Sequence, residues 1–518
     1  MGNIFSLSTT PSDLLSLIQG CGSSALDVYL TFTNKVALLA ASQPRPPSTG
    51  RLLNNDSMAV SSVGKELTPG DARYTTIHDG VSHHPLGAGS YIFKTDYAKA
   101  LLTYLNLYPK TEDTTDQRPF NRPRPRRLIV HIGAQPNNSP HAGTIITFAL
   151  GFIIAHKLQR RYCDMGGDTG KLPPLTVSVS LDLVDTAPDS KKTIEKDGIA
   201  YQRSHRNTNA MSEFLPDYSE LLERLSTFTN NEVQYTCTRQ ADLLKSKHIP
   251  KVLDVILADH VRIGRELGPE SDRIALRAAC PVEGCGIAEK HGKLNRYHYV
   301  DGIPTVTFNC LHHGPHTSSL VPADIEKFEL NTPLRNLVRG VANMLDTIET
   351  QGDVDGEERY HLRVTGGDYA GTYQEQLFYR QINCLMKAVL PQCSQLPLPV
   401  ICYAPLLTDW SGAKLSKSLY VKEGAYAYLE EQNKDYLLGY SRMKEMGKDP
   451  EVIFREVESW VDDPRRLFRN YSVEYFTRLF EQADEPDVHS QPVPVAASCG
   501  ATTLLPPKYR QFEAMSLM

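Results

Sequence analysis

A strand, a loop, a helix and a second strand follow one another across residues 128–184, and no other stretch limits the fold so strongly. Leu128-Ile129-Val130-His131-Ile132-Gly133 reads as a short buried strand. A loop rich in Pro and Asn follows, then helical spacing over 143–161, then a second strand at 175–184, dense in Val and Leu. Such a βαβ unit implies a parallel sheet with a right-handed crossover. Further strands are expected at 232–236, 361–364 and 400–403. Helices are expected at 97–107, 213–230, 241–257, 333–350, 374–389 and through much of 425–482. The class is α/β with a helical C-terminal part.

Composition narrows the function classes. The chain has 518 residues, with 41% apolar, 22% charged and a mean hydropathy of -0.34. Wholesale disorder, collagen and coiled coil are excluded, and so is a multispanning membrane protein. A net charge of -5 gives no global footprint for nucleic acid, so any such contact must be local. The polar, proline-rich run 109–127, ending Arg122-Pro123-Arg124-Pro125-Arg126-Arg127, reads as a solvated linker, or as a phosphate contact.

Two segments carry chemistry. The loop after the first strand is Gln135-Pro136-Asn137-Asn138-Ser139-Pro140-His141-Ala142-Gly143-Thr144. It sits at the carboxyl end of a parallel strand and opens a helix, where open α/β sheets bind ligands. The helix start offers backbone N–H groups and a positive dipole end to phosphate. His141 can donate to a phosphate oxygen, and Gly143 admits a close approach to the backbone. Further on, Ser411-Gly412-Ala413-Lys414-Leu415-Ser416-Lys417-Ser418 sets two lysines three apart on a Gly-bearing loop, suited to a polyphosphate whose charge grows during reaction.

A third segment suits a metal. Cys280 and Cys285 precede Cys310 by a gap of 24 residues after Cys285, and His312 and His313 follow. Thiolates and imidazole at paired spacing suit tetrahedral structural zinc. The ligands read as Cys280, Cys285, Cys310 and His313, with His312 open as the alternative fourth. Gly286 and Gly314 stand where each knuckle turns.

The first two segments resemble the HIGH and KMSKS motifs of class I aminoacyl-tRNA synthetases. Thr144 stands where the first has its second histidine, and Leu415 where the second usually has methionine. Thr365-Gly366-Gly367-Asp368 is similar to the stretch that receives the adenosine ribose in that family. The zinc-ribbon insertion and Leu330-Asn331-Thr332-Pro333-Leu334-Arg335 look most like the class I lysyl-tRNA synthetase type, with a shortened C-terminal part.

The resemblance implies a Rossmann-like nucleotidyl-transferase fold. Residues 1–90 would be a partly disordered N-terminal extension, and 91–270 and 326–420 the two halves of the catalytic domain. Residues 271–325 would be the zinc-ribbon insertion, 421–484 a helical region and 485–518 a tail. It implies an amino acid activated with ATP and Mg²⁺ as an adenylate and transferred to tRNA. His141, Thr144, Lys414 and Lys417 would be catalytic, while Pro140, Gly143, Gly366, Gly367, Asp368 and Ser416 would bind ATP. Gln135, Asp182 and Asp185 would meet the amino acid, and that acidic pair favours a basic side chain. The alternatives are a diverged paralogue and a catalytically silent tRNA-binding or regulatory protein. The paralogue would acylate another amine, or use charged tRNA for peptide-bond formation.

The expected location is the cytoplasm, since no secretory leader is seen and the metal site needs reduced thiols. Met1-Gly2-Asn3-Ile4-Phe5-Ser6 fits the N-myristoylation pattern. One acyl chain holds a membrane only reversibly, so Cys21 or the arginines of 118–127 would have to add a second signal for peripheral attachment.

Overall fold

Every second side chain of the strand Arg126–Ala134 (β1) is buried: Leu128, Val130 and Ile132 show no exposure, while His131 and Gly133 face the other way. β1 is therefore one-sided in its apolar packing, not the apolar-on-both-faces strand its sequence suggests. In this computed structural model the described residues are 96–107, 124–167, 172–187, 189, 193–208, 211–268, 272–353, 356–370, 373, 377, 381–392, 400–415 and 426–485.

After β1 the strands are β2 (Leu175–Leu183), β3 (Ile194–Lys196), β4 (Ile199–Arg203), β5 (Gln234–Arg239), β6 (Leu276–Ala278), β7 (Ile287–Glu289) and β8 (Arg296–Val300). Then come β9 (Ile303–Cys310), β10 (Gly314–Ser319), β11 (Phe328–Leu330), β12 (Glu358–Gly366), β13 (Val400–Ala404), β14 (Leu407–Thr408) and β15 (Tyr471–Ser472). The main helices are α1 (Tyr97–Tyr104), α2 (Ala142–Tyr162), α3 (Leu215–Phe228), α4 (Gln240–Leu244), α5 (Ile249–Ala258) and α6 (His260–Leu267). They continue with α7 (Leu334–Gly352), α8 (Asn383–Val389), α9 (Tyr440–Glu445), α10 (Glu451–Asp462) and α11 (Val473–Asp484).

Five strands form one parallel sheet in the order β13-β12-β1-β2-β5. From β1 the chain steps outward to β2 and β5, then returns to the other side of β1 for β12 and β13. Strand order reverses between β1 and β12, so a crevice opens at their carboxyl ends. One core cluster joins Leu128, Val130 and Ile132 to α2 and to Phe454, Trp460 and Phe476 near the C-terminus. A second joins α5, α7 and α8 to Val306 and Phe308 of β9 and to Ile401 and Tyr403 of β13. By length and composition Ala142–Gly166 is apolar enough to cross a membrane, but 67% of its apolar window is buried inside the molecule.

The chain between β6 and β11 leaves and re-enters through a two-stranded neck. Arg277 of β6 faces Glu329 of β11 there as a fully buried ion pair. Beyond the neck, β8, β9 and β10 form an antiparallel meander, and β7 pairs with the β3–β4 hairpin.

Some expectations fail for local reasons. The single helix expected over 241–257 is broken into α4 and α5, and α6 follows beyond it. Pro250 sits in the first turn of α5, where its missing N–H costs nothing, but it cannot continue a preceding helix. In the helix expected over 374–389, α8 accounts for Asn383–Val389, and 374–376 and 378–380 lie outside the described residues. The arginine run is neither a solvated linker nor a phosphate patch where it is described. Arg124 and Arg126 both bind Glu358, at 2.5 and 3.1 Å, and Arg127 binds Glu357 at 3.0 Å. Gly2, Ser6, Cys21, Arg118 and the segment after 485 lie outside the described residues.

Candidate functional site

The crevice holds a cavity of about 450 Å³ lined by Gln135, His141, Gly143, Thr144, Gly366, Asp368 and Lys414. Three segments far apart in sequence thus meet at the switch point of the sheet. His141 is the N-cap of α2, and its Nδ1 accepts the Gly143 N–H at 3.1 Å. A backbone N–H can only donate, so Nδ1 is the acceptor and the neutral ring carries its proton on Nε2. The close approach at Gly143 is made by the His141 ring itself: a Cβ there would lie 3.0 Å from His141 Cε1. The N–H of Thr144 is likewise used, by the His141 carbonyl at 2.8 Å. The helix start offers its dipole more than open N–H groups, a correction to the expectation from sequence.

Across the cleft, Asp368 sits in a short turn after β12, and Lys414 Nζ reaches its Oδ2 at 2.5 Å. Lys414 is positioned by a tight loop in which Asp409 Oδ1 accepts from the Ser411 N–H, the Ser411 hydroxyl and the Ala413 N–H. Pro140 is buried beneath its loop, and neither it nor Gly367 lines the cavity. Ser416 and Lys417 lie outside the described residues.

The acidic pair expected to meet substrate is turned inward. Asp182 is 6% exposed and accepts from Ser180, Thr238 and Arg363, with Arg339 at 3.4 Å. Burial alone would raise its pKa; Arg339, His131 and Arg363 outweigh that and hold it far below the usual carboxylate range. Asp185 is buried too, taking the Gln240 N–H at 3.1 Å and Arg206 at 3.3 Å. Neither lines the cleft, so the protein's own donors satisfy both. The acids that do line it are Asp189 and Glu213, besides Asp368. Asp189 stands beside His205, because its N–H pairs with the Arg203 carbonyl while His205 N–H pairs with Ala187. The Gln135 amide donates to His205 Nε2 at 2.9 Å.

Sequence reasoning also missed what steadies the first loop. The Ser139 hydroxyl takes the Ser441 N–H at 2.9 Å, and the Ser441 hydroxyl lies 2.5 Å from Asp217. Partners 302 residues apart leave no local pattern. The polar face of β1 and β12 was missed as well. Asp346, His361, His131 and Asp182 form a line with separations of 3.0, 2.9 and 3.4 Å.

In the insertion, one ligand atom from each of Cys280, Cys285, Cys310 and His313 lies within 4.8 Å of the others. Cys285 and Cys310 sulfurs are 3.5 Å apart, and Cys280 is 3.4 Å from His313 Nδ1. His313 supplies the ring; His312 gives its backbone N–H to Cys310 Sγ at 3.4 Å. Gly286 and Gly314 have φ of +60° and +74°, a turn that disfavours any side chain. The local cluster behind these ligands is small: Tyr201 and Ile287 are buried with the cysteines, and Ile199 and Leu311 pack against them. Three thiols and an imidazole fit tetrahedral zinc chemically.

No family model and no curated protein matches the sequence. Among solved structures, the chain is similar to a glutamate tRNA ligase from Elizabethkingia meningosepticum, at 10% identity and a TM-score of 0.23, over 57% of this chain and 52% of that one. It is similar to the glutamate-tRNA synthetase of Elizabethkingia anophelis at 11% identity and a TM-score of 0.23, over 58% and 53%. It is similar to the Thermus thermophilus arginyl-tRNA synthetase at 14% and 0.24, over 72% and 63%. The chain spans about half the length of the two glutamate enzymes.

Proposed function

We propose that the chain activates an amino acid with MgATP as an aminoacyl-adenylate and passes the acyl group to tRNA. The supporting observation is the meeting of the His141 loop, the Gly366–Asp368 turn and Lys414 around one cleft at the sheet's switch point. The amino acid's carboxylate oxygen attacks the α-phosphorus, the bond to the bridging oxygen breaks, and pyrophosphate leaves. The Nε2 proton of His141 faces the phosphates, Thr144 supplies a hydroxyl, and Asp368 takes the ribose. Lys414, and Lys417 from the same loop, neutralise charge growing on the phosphorus and the leaving group. ATP has to part Lys414 from Asp368 before each can take its share of the nucleotide.

The amino acid proposed is basic. Asp189, beside His205, and Glu213, elsewhere on the cleft lining, offer the carboxylates in place of Asp182 and Asp185. The Cys280, Cys285, Cys310 and His313 group is proposed to hold one zinc ion, which ties together a segment with little apolar core. Cytoplasmic location, with or without acylation at Gly2, remains part of this proposal.

One observation favours a second reading, transfer to an acceptor other than tRNA. The described helices after the lysine loop are buried in the sheet's own core, and none stands apart as an RNA-reading unit. Amino-acid-dependent ATP–pyrophosphate exchange tests the activation step. Exchange with a basic amino acid supports the reading, exchange with another removes the specificity, and none with any proteinogenic amino acid removes activation. Total tRNA with the labelled amino acid then separates the two acceptors.

A further inference from the structure

Positive charge exceeds negative between the sheet and α7. Arg359 is committed to Asp346, and Arg339 and Arg363 share one oxygen of Asp182. Arg335, also buried, reaches only neutral groups, the Leu330 carbonyl and the Thr332 hydroxyl. The Nε atoms of Arg335 and Arg363 are buried without a hydrogen-bond partner. With the Arg359–Asp346 pair set aside, Arg335, Arg339 and Arg363 stand against the one carboxylate of Asp182. Unpaired charge at this depth is strongly destabilising unless a counter-ion is supplied.

Two of these cations, Arg339 and Arg363, line a cavity of about 70 Å³, while Arg335 and Arg359 do not. On such a measure a single water needs about 10–15 Å³, so there is room for a small ion and its neighbours. Arg339, Arg363 and His361 line it, no Asp or Glu does, and Asn336, Asn343 and Gln351 add amides. Arg339 is 6% exposed. Met344, Leu362 and Ile401 give one apolar wall. None of the lining residues lines the catalytic cleft.

We propose that this cavity binds a small oxyanion, a carboxylate or a phosphate group, as a second ligand site behind the sheet. Arg339 and Arg363 supply the charge, and the amides supply further donors. The apolar wall admits a short hydrocarbon chain. Arg363 also touches the floor of the cleft, since a Cβ on Gly133 would collide with its guanidinium. The proposal does not depend on the adenylation reading.

Calorimetric titration of the full chain with inorganic phosphate and with butyrate tests it. Binding of either ligand, weakened at least ten-fold in Arg339→Met and in Gly340→Leu and retained in Lys414→Ala, is expected. Phosphate alone, or butyrate alone, would assign the headgroup within the proposal. Gly340 guards against a folding artefact. It lines the cavity from the middle of α7, a Cβ there meets nothing within 4 Å, and leucine favours a helix over glycine. Binding of neither ligand overturns the site, as does binding lost in Lys414→Ala but kept in Gly340→Leu.

Discussion

Gly143 is held to glycine by the ring of His141 lying over it, and that contact makes a sharp test of the cleft. In Gly143→Ala the new methyl must push the imidazole aside and weaken the Nδ1 cap. The shift required is a few tenths of an ångström, less than the misplacement of about 1 Å that costs about 100-fold, so a loss of about 10-fold in rate is expected when the displaced group serves the reaction. Pyrophosphate exchange should fall by about that factor while the melting temperature shifts little. A rate kept near the starting value would remove His141 from the chemistry. Acid is a second probe. Burial opposes the charged forms of Asp182 and Asp346, but Arg339 and His131 for the first, and Arg359 and His361 for the second, hold both pKa values far down. Unfolded aspartate titrates near 3.9, so these pairs contribute stability above about pH 4 and lose it as pH falls further. Urea midpoints measured from pH 5 to pH 2 should drop steeply, and less steeply in Asp346→Asn. Equal slopes would mean that Asp346 carries no such linkage.

At the scale of elements, Cys280 and Cys285 stand beside the three-residue strands β6 and β7, Cys310 and His313 at the turn from β9 to β10, and the apolar cluster behind them is small. Chelation of the purified protein should release one zinc per chain. Hydrogen exchange should then rise across 276–330 and stay unchanged in β1 and β2. Much less than one zinc per chain, or exchange rising everywhere, would contradict a local structural ion. Legibility in the sequence followed locality. β1, α2 and β2 could be read because each carries its own apolar pattern, the loop after β1 because Pro and Asn mark it, and the cysteine spacing announced its cluster. The inward turn of Asp182 and Asp185 could not be read, because their partners, Arg339 and Arg363 for the first and Arg206 and the Gln240 N–H for the second, lie well along the chain. Asp189 and His205 were missed for a similar reason: backbone pairing across a loop, not spacing, sets them side by side. The strands β6, β7 and β11, of three residues each, are too short for alternation to show.

At the scale of the whole molecule, the described C-terminal helices complete the core beneath the cleft instead of hanging from it. Trp460 is fully buried, stacks on Tyr471 at 4.3 Å between ring centres, and shares one core with Ile132 and Phe148 beneath the cleft. β15 pairs with β14 directly before the lysine loop, and Ser441 anchors the His141 loop. Removing such a layer exposes one face of the core, which a separable module would not do. A chain cut after residue 425 should therefore fail to give a cooperative melt. In the full chain the only other tryptophan, Trp410, is 74% exposed, so Trp410→Phe leaves a fluorescence signal from the buried core alone. Its denaturant transition should coincide with that of far-ultraviolet circular dichroism, as one cooperative unit requires. An earlier transition at Trp460 would show the helices melting by themselves. Reading an RNA would then again be a natural task for them, and the acceptor question would tilt back toward tRNA.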